Sequence, residues 1–92
     1  MSVEKVERRK DTRQPFPRVL EYSLTHASSE NLKGVAVNIS NSGLALYIFC
    51  HLVHGQEILI RSHIPVDYRK ASLRWVREVD NGILQAGFMF VG

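Results

Sequence analysis

Arg9 and Arg13 are four positions apart in a basic segment, and Asn38, Ser40 and Gly43 follow 25 to 30 positions beyond Arg13. Arginine carries a permanently charged, planar fork of donors that matches phosphate oxygens and the acceptor edge of a purine. Asparagine and serine offer amide and hydroxyl groups that read a ligand edge or bond the nearby backbone. Glycine leaves room for a turn or a close approach. The two groups together have the chemistry of an anion-binding site. Arg8, next to Arg9, is a further cation beside the first group.

Other constellations are weaker. Cys50-His51-x-x-His54 offers three metal-ligating types without a fourth nearby, which is incomplete for a structural zinc site, so no metal is expected. Ser62, His63 and Asp67 are close in sequence, but no nucleophile, base and orienting group form a recognisable set. The chain reads as a non-catalytic protein without a cofactor.

Charge supports a role for the N-terminal segment. Residues 1–18 hold six of the twelve lysines and arginines (Lys5, Arg8, Arg9, Lys10, Arg13 and Arg18) and only three of the nine acids. The rest of the chain is balanced, so anion binding is expected to involve this arm. With 92 residues, of which 45% are apolar, the chain forms one domain with a modest core. A single cysteine excludes an internal disulfide and suits a reducing compartment. No apolar stretch is long enough for a membrane helix and none follows the N-terminus as in a signal peptide, so the expected location is cytoplasmic.

The elements that must position these residues are strands. Residues 1–17 are polar, end in Pro15-Phe16-Pro17 and read as a mobile arm. Period-2 patterning then recurs over Arg18–His26, Leu32–Ile39, Leu44–Phe49, Gln56–Arg61, Arg69–Val79 and Ile83–Val91. Ala27–Asn31 reads as a loop, and Val35, Val37 and Ile39 share one face. Asn38–Gly43 and Asp80-Asn81-Gly82 read as hairpin turns, the first needing glycine for positive φ. Trp75 reads as core or barrel rim, and Arg18, Arg74 and Arg77 as outward strand residues. About six short strands over residues 18–92 bury their apolar faces most simply as an all-β, six-stranded antiparallel barrel.

Arg9-x-x-x-Arg13 ahead of the first strand, with Asn38-x-Ser40-x-x-Gly43 between two strands, resembles the PilZ domain family, receptors for the bacterial second messenger cyclic di-GMP. The resemblance runs from about Arg8 to Phe90. It implies that Arg9 and Arg13 clamp guanine and phosphate, that Asn38 and Ser40 read the guanine edge, and that Gly43 shapes the turn. It also implies that Arg8 bears on whether one or two ligands bind. Asn38 replaces the family's commoner Asp, which alters the contact to the guanine N–H donors. The implied partners are cyclic di-GMP and an effector protein in motility, adhesion or exopolysaccharide control, with no membrane insertion. Many relatives continue into a C-terminal helix. Without it, one barrel end is expected to be open to a partner or to a second copy, giving a homodimer.

Two other readings fit parts of the chain. A PilZ-like adaptor would act through protein contacts without nucleotide. A small barrel binding single-stranded nucleic acid would use the basic arm, but it needs exposed aromatics and an extended basic groove.

Overall fold

The computed structural model describes residues 12–25 and 27–92. Arg8 and Arg9 lie outside the described residues, as do residues 1–11 of the expected mobile arm. Seven strands follow in order: β1 (Gln14–Pro15), β2 (Val19–Leu24), β3 (Ala27–Ile39), β4 (Gly43–Ile48), β5 (Glu57–Ile60), β6 (Lys70–Asp80) and β7 (Ile83–Val91). The sheet runs β3-β2-β5-β6-β7-β4, and a further β3–β4 pairing closes it into a six-stranded antiparallel barrel. The two-residue β1 lies alongside β3, pairing Gln14 with Ile39 and Pro15 with Asn38. Among the described residues there is no helix, and so none long and apolar enough to cross a membrane.

Alternation places the core as the sequence suggests on four strands. Leu44, Leu46 and Ile48 of β4, Ile58 and Ile60 of β5, Ala71 and Leu73 of β6, and Ala86, Phe88 and Phe90 of β7 are all buried. Leu20 and Tyr22 of β2 join them. Inside this apolar interior, burial first and then the neighbouring Cys50 hold the Tyr22 phenol well above the usual tyrosine range. The neutral phenol favours the fold at all pH values below the unfolded tyrosine pKa of about 10, and that contribution is lost only as pH rises further.

Three expectations are corrected. Ala27–Asn31 is not a loop, because β3 begins at Ala27 and the ladder with β2 starts at Leu24↔Ala27. Asn31 spends its amide on a cross-strand bond to Glu21 Oε1 (3.2 Å) rather than on a turn. The arm boundary at residue 17 falls too late. Gln14–Pro15 is already paired, the Phe16 amide donates to the Val37 carbonyl (3.0 Å), and the Phe16 ring packs against the core.

The third correction concerns the faces of β3. Val35 is exposed whereas Ala36 and Ile39 are buried. The register steps from Ala36↔Leu46 to Asn38↔Ala45, leaving Val37 as one extra residue. Such a bulge reverses which residues face inward beyond it. Without it, Asn38 would follow Ala36 into the apolar interior.

Candidate functional site

The strand ends bring the two motif halves together. Arg13 donates from Nη1 to Asn38 Oδ1 at 3.0 Å. β1 makes this contact possible, because its pairing with the end of β3 fixes the chain next to Asn38.

The turn after Asn38 is held from within. The Ser40 amide donates to the Gly43 carbonyl (2.8 Å), and the Ser40 hydroxyl accepts from the amides of Ser42 (3.2 Å) and Gly43 (3.3 Å). Ser40 is 7% exposed, so its hydroxyl is an internal strut of the turn. The Phe90 amide donates to the Ser42 carbonyl (2.8 Å) and ties the turn to β7.

Gly43 is needed for a reason other than the one expected. Among the described residues, only Gly55 and Gly82 have positive φ, and both lie in turns. Gly43 opens β4, where a Cβ would collide with the backbone carbonyl of Phe88. Its lack of a side chain allows β4 and β7 to approach closely at the turn.

Beyond Asn38 a row of outward positions crosses the barrel. Asn38 pairs with Ala45, Ala45 with Gly87, and Gly87 with Trp75. The two middle positions carry the smallest side chains and form a floor. At its far end the Trp75 indole lies against Gly87, in the space that a Cβ there would occupy. Trp75 faces outward because β6 has its own bulge. The register steps from Leu73↔Phe88 to Trp75↔Gly87, with Arg74 as the extra residue. Strict alternation from Ala71 and Leu73 would have sent Trp75 into the core, so sequence reasoning missed it as a site residue.

Arg13, Ser42, Gly43, Arg74, Trp75 and Gly87 are among the residues lining a cavity of about 210 Å³ at the Gly87 end of this row. Arg74 faces outward, as expected, and also lines this cavity, with Nη1 3.8 Å from Met89 Sδ. The site thus has two arginines at its walls, one exposed tryptophan and an amide at the edge. Among the described residues, no group of three or more His, Cys, Asp or Glu is placed to hold a metal ion.

The PilZ domain family model matches residues 7–92, almost the whole chain. The chain belongs to the PilZ domain family. The family is one of cyclic di-GMP receptors, generally non-catalytic, and its barrel is the fold seen here. No curated protein sequence matches the chain.

Proposed function

We propose that this PilZ domain is a non-catalytic cyclic di-GMP receptor whose ligand lies in the cavity over Gly43 and Gly87, between Arg13 and the neighbouring Asn38 on one side and Arg74 and Trp75 on the other. The observation that carries this reading is the Arg13–Asn38 hydrogen bond beside a cavity walled by a tryptophan. Arg13 is a donor fork for phosphate or for the O6 and N7 acceptors of guanine. Arg9, one step back in the motif, supplies a second fork, and Arg8 a third cation. The Asn38 amide offers both donor and acceptor to a guanine edge. Trp75 gives a flat face on which a purine stacks. Ser40 and Gly43 act by holding the turn, which leaves the backbone of Asn41 and Ser42 at a fixed height beside the ligand.

The energies are sufficient. Charge-assisted hydrogen bonds contribute about 1.5–3 kcal/mol each. A micromolar affinity requires about 8 kcal/mol net. Two arginines, an amide and one stacked ring reach that after ordering costs are deducted. On this reading the N-terminal segment closes over the bound ligand and changes the surface offered to an effector protein.

Calorimetric titration with cyclic di-GMP, with cyclic di-AMP and GTP as controls, tests the reading. Trp75 is the sole tryptophan, so its fluorescence reports directly on the wall of the site. Saturable binding of cyclic di-GMP with a change in that fluorescence is the expected result. Binding that survives unchanged in an Arg9→Ala, Arg13→Ala double variant defeats the site assignment. Absence of heat and of any thermal shift would favour the adaptor reading.

A further inference from the structure

β6 outruns its neighbour on one side. β5 pairs with it only over Lys70–Ser72, and the last contact beyond is at Leu73, which donates to the Gln56 carbonyl and accepts from the Gly55 amide (both 2.9 Å). From Arg74 to Asp80, β6 is paired with β7 alone among the described residues. Its other edge is open over that stretch.

The directions of the backbone groups on this edge follow from the register. Leu73, opposite Phe88, turns its N–H and C=O away from β7. The Phe90 amide bonds to Ser42 on the β4 side, so even-numbered β7 residues turn away from β6. Their β6 partners must then turn outward as well, because bonding and non-bonding positions alternate in step across an antiparallel pair. Those partners are Val76, opposite Ala86, and Glu78, opposite Leu84. Among the described residues, both present N–H and C=O groups without a partner at this edge, which is a template for another strand.

The side chains along this edge are also unusual. Trp75 (42%), Val76 (40%) and Val79 (43%) are all exposed within five residues, interspersed with Arg74, Arg77, Glu78 and Asp80. Charges normally protect an edge against pairing. Here they are arranged to pair with themselves. Two copies joined by a two-fold axis must place one residue opposite its own copy, and the midpoint of the open stretch is Arg77. β6 has a second bulge, with Val79 as the extra residue between Glu78↔Leu84 and Asp80↔Ile83, so a bulge lies near each end of the open stretch. The register centred on Arg77 sets Arg74 opposite Asp80, Trp75 opposite Val79 and Val76 opposite Glu78. The first is an opposite-charge pair and the second an aromatic–β-branched pair, each occurring twice by symmetry. Val76 and Glu78 are then the hydrogen-bonded pair, as their outward groups require. Arg77 opposes its copy, but its guanidinium is held on Gln85 of its own β7 by two bonds (3.0 and 2.8 Å). The partner strand ends at its Asn81-Gly82 turn, level with Leu73, where β5 takes over the edge.

We infer that the open Arg74–Asp80 edge of β6 pairs antiparallel with the same edge of a second copy of this chain, making a homodimer with a sheet continuous across the two barrels. This pairing shares Arg74 and Trp75 with the proposed ligand site but needs no ligand, and it is tested without nucleotide.

Sedimentation equilibrium of the full chain from about 1 μM to about 1 mM should show a concentration-dependent dimer. Hydrogen exchange at the Val76 and Glu78 amides should slow as the wild-type dimer fills. Arg74→Asp and Asp80→Arg should each weaken the dimer about tenfold, since two attractive pairs become repulsive. The double variant should restore it, because the pairs are regenerated with signs exchanged. Val76→Pro, which removes an amide not used within the barrel, should abolish it. A chain that stays monomeric across the range overturns the inference. So does a dimer indifferent to these substitutions, one that the double variant does not restore, or one with unprotected Val76 and Glu78 amides.

Discussion

The two halves of the proposed site are built in opposite ways. The Ser40–Gly43 turn is cross-braced by its own hydroxyl and amides, tied to β7 through Ser42 and Phe90, and buried at Ser40 and Gly43. Arg13 is exposed and reaches the turn's flank through one hydrogen bond to Asn38. One half supplies shape and the other supplies charge. A change in the first should therefore be felt as stability, and a change in the second as ligand affinity.

Gly43→Ala should have the largest effect. The added methyl meets the Phe88 carbonyl, which is backbone and cannot swing aside. A loss of about 3 kcal/mol is expected in denaturant unfolding. A neutral result would show that β4 and β7 are not closely docked at the turn. Ser40→Ala removes the acceptor for two amides at the turn and should cost about 1–2 kcal/mol, with any loss of cyclic di-GMP affinity following from a loosened turn. Arg13→Ala supplies the contrast. Its stability should lie within about 0.5 kcal/mol of wild type, as for surface substitutions generally. Its cyclic di-GMP affinity should fall at least about tenfold, the equivalent of one lost charge-assisted bond. Equal effects of Ser40→Ala and Arg13→Ala on unfolding would erase the division.

Asn38→Asp should be the gentlest change. It turns the Arg13–Asn38 contact into an ion pair, but an exposed one, worth at most about 1 kcal/mol and reduced by salt. The expected outcome is a small rise in melting temperature at low ionic strength that disappears at high salt. Affinity for cyclic di-GMP should rise modestly, because a carboxylate accepts from the guanine N–H donors more strongly than an amide oxygen does.

Much of this arrangement is legible in the sequence. β4, β5 and β7 follow their alternation closely, and Asn81-Gly82 closes the β6–β7 hairpin with positive φ at the glycine. Arg13 and Asn38 are far apart in sequence, yet both belong to the two-part motif, and the fold brings them into contact. The misses have one main physical cause. A bulge is a relation between two strands, one residue too many on one side, and no local pattern announces it. Val37 and Arg74 look like ordinary strand residues. They reverse the faces of the residues beyond them, so Asn38 reaches the surface and Trp75 leaves the core side. Gly43 was legible as a required glycine but not for the right reason, because the Phe88 carbonyl that requires it comes from the other end of the chain. Ala27–Asn31 misled for a simpler reason: the stretch belongs to β3, but only Ala27 is paired with β2, and residues 28–31 fall in the register step between Leu24↔Ala27 and Tyr22↔Leu32, where the strand keeps turn-forming residue types.

The extra residue in β6 sets how this surface tolerates change over descent. Arg74 is an exposed side chain, and exchanging it for another residue would leave the count along β6 intact. Deleting it would close the ladder: Leu73 would stay opposite Phe88 and Trp75 opposite Gly87, now as consecutive residues that alternate inward and outward. What a deletion removes is the cation at the cavity wall and the extra twist that a bulge adds to its strand. The length of this strand therefore sets how β6 bends beside the cavity, while the letter at the extra position is freer to drift.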